Sequence, residues 1–424
     1  MASRDESAAA VSGVWLPYCQ MQTAPTPLGA ARTEGVRIVL EDGRALVDGT
    51  SSWWTACHGY NHPHIAAAVT AQLERMPHVM LGGLVHAPVR ELARRLAAVL
   101  PGDLGRAFFS ESGSVSVEVA LKIALQYWMN RGERGRTRFL SFRHAYHGDT
   151  FAAMGVCDPE EGMHALFAGA LRPALVAPLP GGRGQSADLD RFVSRHRHEL
   201  AAVILEPLVQ AAGGMKFHSA DTVAAVAEIA ARHGVLLILD EIAVGFGRTG
   251  TLFACEQAGV VPDVVTLSKA LTGGTLPLAA TVVREHVFEA FLGQEPERGL
   301  MHGPTFSGNA LACAAANASL DLFEREPRLA QVARIEKQLA EGLGRCRRLS
   351  GVRDVRVKGA IGVVQLERKA DVEDLRRRFV EKGVFIRPFG DVVYLMPPFV
   401  IGEEDLETLI RAVHAVLAEA HSGA

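Results

Sequence analysis

This 424-residue chain has few cysteines and no close cysteine pair, no excess of charge of either sign and no long apolar run. Its six cysteines, Cys19, Cys57, Cys157, Cys255, Cys313 and Cys346, are widely spread, and none forms a C-x-x-C pair. That spacing argues against a zinc site or a disulfide framework, and for free thiols in a reducing compartment. Lys and Arg number 44 against 47 Asp and Glu, a net charge of −3. Nothing here is basic enough to suggest a nucleic-acid or anionic-membrane surface. The densest apolar run, 234–239, is strand-sized and far short of the roughly 18 residues a membrane helix needs. The opening MASRDESAAA has no apolar signal core. No fixed-period repeat is visible, and no G-x-G-x-x-G follows the first strand-like run, which disfavours a nicotinamide enzyme. A cytoplasmic globular protein is the expectation, and its 48% hydrophobic and 21% charged content excludes bulk disorder.

What is present is an alternation. Short apolar runs at 106–110, 137–142, 201–206, 235–240, 264–268 and 278–283 are separated by amphipathic stretches. In one of these, Ser219 is placed to cap a helix, Val223, Val226, Ala227 and Ala230 fall on one face, and Gly234 stops it. Runs apolar throughout, such as VLLIL, suit strands covered on both faces. The pattern predicts an α/β fold with a mostly parallel sheet wrapped by helices, ligands lying beyond the carboxyl ends of the strands. The chain ends differ. Residues 35–48 read as a hairpin around Glu41-Asp42-Gly43-Arg44. Beyond about 320 the order is helix, strands, final helix, the last with an apolar stripe of Leu406, Leu409, Ile410, Val413, Val416 and Leu417. We expect an N-terminal arm (1–60) and a C-terminal region (321–424) to build a smaller α/β domain beside a large one (61–320). The Gly-rich stretch 180–186 lacks a strand–Gly–helix context and reads as a surface loop rather than a phosphate loop.

Several residues at predicted strand ends could carry chemistry. Lys269 follows DVVTLS; desolvation there would lower its pKa and favour a nucleophilic amine. Alone, it reads more simply as a solvated loop lysine. Asp240 ends the preceding run, 29 residues earlier, the length of one strand–helix–strand unit. A carboxylate there can hold a proton on a heteroaromatic nitrogen, although an Asp in that place is also an ordinary helix cap. In Glu111-Ser112-Gly113-Ser114, glycine permits close approach of an anion, and Ser114 with the first helix amides can bind phosphate. Tyr146, in HAYHGDT, could stack on a flat ring. His144 and His147 lack a third ligand and make no case for a metal. Trp53-Trp54 and Tyr18 form an aromatic cluster for which core packing is the simpler reading. Gly303-Pro304-Thr305 could bond a phosphate through Thr305, and Arg387 could clamp a carboxylate. The joint pattern outweighs each part: phosphate turn, aromatic, Asp and Lys occur in order, each after a predicted strand.

The stretches DEIAVGFGRTG and SKALTGG resemble those of the class III (omega-type) pyridoxal phosphate-dependent aminotransferases. SSWWTACHGYNHP, FSESGSVSVEVALK, HAYHGDT and MHGPTFSGNALACAAANASL extend the resemblance from about Val14 to the C-terminal helix. It implies fold type I, a homodimer with active sites at the interface, and pyridoxal phosphate as cofactor. It further implies that Lys269 links to the cofactor and shuttles a proton, that Asp240 keeps the pyridine nitrogen protonated, and that Gly113 and Ser114 hold the phosphate. Tyr146 would pack against cofactor and substrate. Pro304 and Thr305 would reach the neighbouring subunit's phosphate, with Gly303 beside the substrate. Tyr18, Trp53 and Arg387 match substrate-recognition positions, Tyr18 close to the chemistry, and Trp54 supports the same wall. The paired tryptophans after two serines resemble the branch acting in biotin biosynthesis. That branch implies S-adenosylmethionine as amino donor and 8-amino-7-oxononanoate as acceptor. The alternatives are a family member using another donor such as lysine, an aminomutase of the same fold, or a non-catalytic binding protein.

Overall fold

The computed structural model describes residues 13–160 and 163–421. The opening segment read above for a signal core, and the outermost parts of the ranges 1–60 and 321–424, lie outside the described residues.

All six strand-like runs form strands of one seven-stranded sheet. In spatial order these are Leu104–Ser110, Ala279–Arg284, Val264–Leu267, Leu236–Asp240, Leu200–Leu205, Arg138–Phe142 and Leu175–Ala177. Six share one direction, and Ala279–Arg284 runs antiparallel to both of its neighbours. The seventh strand, Leu175–Ala177, is three residues long, too short to carry a periodicity. Leu200–Leu205 and Leu236–Asp240 are buried at every position, as expected of strands sandwiched between helical layers. One layer includes Gly113–Asn130, whose Val117, Leu121 and Ala124 pack on Ile204 and Ile238. The other includes Ala220–Arg232, capped by the Ser219 hydroxyl accepting from the Thr222 amide at 3.1 Å. Gly234 follows at φ +60°, where a side chain would be strained.

The unit between Asp240 and Lys269 is a strand–helix–strand unit, as its length suggested. Its helix is only Ala254–Ala258. Residues 241–253 wind as a loop through Gly247 (φ +90°) and Gly250 (φ +107°), conformations that glycine adopts freely and a helix cannot contain. Arg248 within this loop is buried. Its Nη1 donates to the carbonyls of Pro397 (2.8 Å) and Ala360 (3.3 Å), tying the central sheet to the C-terminal region.

The hairpin Arg37–Leu40 and Ala45–Asp48 turns at Gly43 (φ +88°), with Ala30–Glu34 on one side and Val384–Phe385, parallel to Ala45–Asp48, on the other. Both chain ends therefore share one sheet. A three-stranded sheet (Val352–Lys358, Ile361–Leu366, Val392–Leu395) packs beside helices Arg328–Leu343 and Glu403–His421. All six stripe residues of the last helix are buried, each contributing about 1.5–3 kcal/mol of gross burial energy. The loop 180–186 is largely exposed. Its Arg183 amide and guanidinium engage Asp221 at the start of Ala220–Arg232, so it closes that helix end.

Candidate active site

The sheet register brings the floor of the site together. Asp240 ends its strand opposite Thr266, and Lys269 begins the turn two residues past the neighbouring strand. Thr266 Oγ1 donates to Asp240 Oδ1 at 3.2 Å, and the Ile242 amide donates to the same oxygen at 3.1 Å. The second carboxylate oxygen is 2.7 Å from His147 Nδ1. Asp240 is 5% exposed and His147 is buried, and among the described residues His147 Nε2 has no hydrogen-bond partner.

The Lys269 amine is enclosed, although the residue keeps some exposed surface. Burial pushes the amine down to about 8, against the opposing pull of Asp240, Glu206 and Asp149. The ammonium face lies 4.4 Å from the Trp54 ring. The Lys269 backbone sits at φ +45°, unfavourable for a residue with a side chain and a sign that the surroundings impose it. Glu206, beside this group, accepts from the Tyr146 and Ala211 amides, each at 3.0 Å; burial pushes its carboxyl up to about 7.

At the adjoining strand end, Ser112 caps the eighteen-residue helix Gly113–Asn130 by accepting from the Val115 amide. The first-turn amides of Gly113 and Ser114 have no carbonyl a turn back to bond. Ser114 Oγ accepts from the Thr150 amide at 2.9 Å.

The mouth is assembled from distant segments. Tyr18 and Tyr146 both donate their hydroxyls to Asp149, Tyr146 at 2.8 Å. Burial and this carboxylate push Tyr18 up to about 12, and burial raises Tyr146 further. His164 stacks on Tyr146 at 5.8 Å and also reaches Asp149, at 3.2 Å. Tyr18 meets Trp53 edge-on at 6.2 Å, and the Arg387 guanidinium lies 5.4 Å from the Trp53 ring centre. Among the described residues Arg387 makes no ion pair; burial and nearby Arg376 lower its pKa.

Both tryptophans are presented by an unusual turn. Ser51, Ser52, Trp53 and Trp54 are all left-handed, at φ +50°, +47°, +56° and +73°. Each such residue costs about 1–2 kcal/mol. Buried Asp48 offsets this by accepting from the Thr50 amide and hydroxyl (2.7 and 2.9 Å), the Ser52 amide (3.1 Å) and the Tyr60 hydroxyl (2.6 Å). The Ser51 hydroxyl donates to the Met396 carbonyl at 2.7 Å. Trp54 is thereby buried and Trp53 left 43% exposed.

The structure thus brings Lys269, Asp240, Tyr146, Tyr18, Trp53, Trp54 and Arg387 into one linked group, with Gly113 and Ser114 at the adjoining strand end. Gly303, Pro304 and Thr305 stand apart: Gly303 and Thr305 are exposed, and the Thr305 carbonyl bonds His78 Nε2 at 3.0 Å. The residues that sequence reading missed are His147, Asp149, Glu206 and Asp48. The first two lay inside HAYHGDT and the third closed the run 201–206; nothing local marked Asp48.

Residues 18–417 match the family model described as aminotransferase class-III. An adenosylmethionine-8-amino-7-oxononanoate aminotransferase of Corynebacterium glutamicum is 44% identical over 411 residues, 95% of this chain and 96% of that protein. The Mycobacterium leprae protein of the same name is 43% identical, covering 94% of each. A solved structure of the Methanocaldococcus jannaschii protein of that name superposes with a TM-score of 0.93 at 32% identity, covering 98% of both chains.

Proposed function

Because the chain belongs to the class III aminotransferases, we propose that it moves the amino group of S-adenosylmethionine to 8-amino-7-oxononanoate, giving 7,8-diaminononanoate for biotin. The observation that carries the chemistry is an enclosed amine, lowered toward its neutral form, beside a buried and fully hydrogen-bonded carboxylate.

The residues fit pyridoxal phosphate. A Cβ on Gly113 would come within 3.0 Å of Ile242, and one on Gly148 within 2.3 Å of Ser114 Oγ, so only glycines leave the cradle open. Gly113 and Ser114 would hold the phosphate at a helix N-terminus, where free amides and the helix dipole favour an anion. When bound, the cofactor supplies an electron sink for negative charge developing at the substrate carbon. Asp240, fixed by His147, Thr266 and the Ile242 amide, would keep the proton on the pyridine nitrogen. Lys269 Nζ, its hold on a proton weakened by burial, would attach the cofactor and move a proton to and from the substrate carbon. Tyr146 would pack on the ring. Trp53, Trp54 and Tyr18 wall the aliphatic acceptor, whose burial contributes about 0.8 kcal/mol per methylene. Arg387, unpaired and half-buried, takes a substrate carboxylate. Exposed Gly303 and Thr305, with Pro304 between them, serve the site of a second subunit in a homodimer. The same reading divides the chain at about 60 and 320 and places it in the cytoplasm; no described helix is long and apolar enough to cross a membrane.

A half-reaction tests this. Mixing the yellow protein with S-adenosylmethionine should bleach it, and adding 8-amino-7-oxononanoate should restore the colour. Bleaching by lysine alone would reassign the donor. Lys269→Ala should be colourless and inactive, and a yellow, active variant would overturn the assignment.

A further inference from the structure

The Lys269 turn is held from behind by a buried chain of side chains that the reaction itself does not use. Arg328 Nε lies 2.9 Å from His58 Nδ1, His58 Nε2 lies 3.0 Å from Ser319 Oγ, and Ser319 Oγ lies 3.4 Å from the Ala270 carbonyl. His58, Ser319 and Arg328 are all at most 2% exposed. The direction of every bond follows from the first. A guanidinium only donates, so His58 Nδ1 accepts and Nε2 carries the hydrogen, which leaves the Ser319 hydroxyl to donate to Ala270. The Ala270 carbonyl directly follows Lys269 and also receives the Cys57 thiol (3.7 Å) and the Gly273 amide (2.9 Å). The His58 ring packs against the far end of the same turn, where a Cβ on Gly273 would come within 3.2 Å of it.

We propose that Arg328, His58 and Ser319 are positioning residues for the proposed reaction. Through a one-directional relay of hydrogen bonds they hold the turn Lys269–Thr272, strained at Lys269, that aims the Lys269 amine. The proposal rests on the reading of Lys269 given above. Three features carry it. The Lys269 backbone is strained at φ +45° and needs an external restraint. The relay ends on the carbonyl adjoining that strained residue. It comes from three separate places, the segment after the tryptophan turn, helix Ala310–Arg325 and the start of helix Arg328–Leu343, so it adds nothing to any one helix. Burial and the Arg328 charge push His58 down to about 3, which keeps it neutral and the tautomer fixed across the working range. The charged groups facing His58 are Arg328 and His62, and those facing Lys269 are Asp240, Glu206 and Asp149. The substitutions below leave all of them in place except His58 itself.

The test uses the pyridoxal phosphate-loaded protein and follows the pH at which its visible absorbance changes. Ser319→Ala removes the last link. A loosened turn admits water to the Lys269 nitrogen and favours its protonated form. The midpoint should rise by about half a unit to one unit, the size of one lost neutral hydrogen bond. The same loss should lower kcat by about threefold to tenfold with KM unchanged. Ser319→Thr, which keeps the hydroxyl, should titrate as the parent does. His58→Asn, which can accept from Arg328 but offers nothing to Ser319, should reproduce the shift with the hydroxyl still present. An unmoved midpoint in Ser319→Ala, or in His58→Asn should the former not fold, overturns the relay. So does an equal shift in Ser319→Thr, which would assign the effect to packing. A parent protein that never turns yellow would instead overturn the reading of Lys269 on which the relay rests.

Discussion

At the floor of the site, Asp240 and Thr266 come from two neighbouring strands and are placed by sheet register, with Lys269 in the turn that follows the second. At the mouth, Tyr18, Trp53, Asp149 and Arg387 come from four segments as much as 369 residues apart and meet through ring contacts and shared hydrogen bonds. Asp240 and Thr266 are buried and hydrogen-bonded to one another, and Lys269 is only partly exposed. The mouth is open, with Tyr18 61% exposed. A rigid, dry floor suits chemistry common to every substrate, because preorganised charges act most strongly where water is excluded. An adaptable, half-wet mouth suits a site that must admit two different molecules in turn.

The comparison can be broken most severely at the floor. Asp240→Asn should lower kcat by roughly a hundredfold or more, since it removes a preorganised charge; steady-state rates at saturating substrate measure this. Near-normal turnover would mean that the floor is not the electrostatic centre. The same burial has a pH signature in the cofactor-free protein. The Lys269 amine has an ordinary value of 10.5 unfolded and about 8 folded, so between these values the unfolded chain binds more protons. Stability must therefore rise with pH from about 8 toward 10.5, by at most about 3 kcal/mol. Urea unfolding at several pH values should show that slope, and Lys269→Met should lack it.

At the mouth the effects should be smaller and fall on binding. Arg387→Ala should weaken carboxylate-bearing substrates by about 1.5–3 kcal/mol, read as KM with kcat little changed. Unaltered KM for both substrates would remove Arg387 from the clamp. Asp48→Asn should cost about 1–2 kcal/mol in urea unfolding by releasing the left-handed tryptophan turn. It should also raise KM for the aliphatic acceptor. A stability loss with KM intact would show that the turn serves the fold and not the substrate wall.

The floor was legible in the sequence because a parallel strand announces itself: a short run apolar on both faces, ending in a polar residue. Asp240 and Lys269 could be named from that rule, as could the turn at Gly113 and Ser114 that opens a helix. His147 and Glu206 sat at the same kind of strand end, but nothing local says which carboxylate a histidine will face across the sheet. The spacing of 29 residues between Asp240 and Lys269 fitted a strand–helix–strand unit, but how little of it is helix depended on glycine conformations in the loop. The tryptophan pair was visible as a motif, yet its left-handed backbone was not, since local preference opposes it and only the buried Asp48 carboxylate enforces it.

By itself the sequence determined which segments become strands and helices, and which side chains stand at the strand ends, because periodicity and strand-end position are local properties of the chain. The tertiary structure alone decided which of those side chains face one another, how far the Lys269 amine is stripped of water, and that Arg387 meets Trp53. Desolvation and contact depend on what packs around a group, and that is set by residues hundreds of positions away.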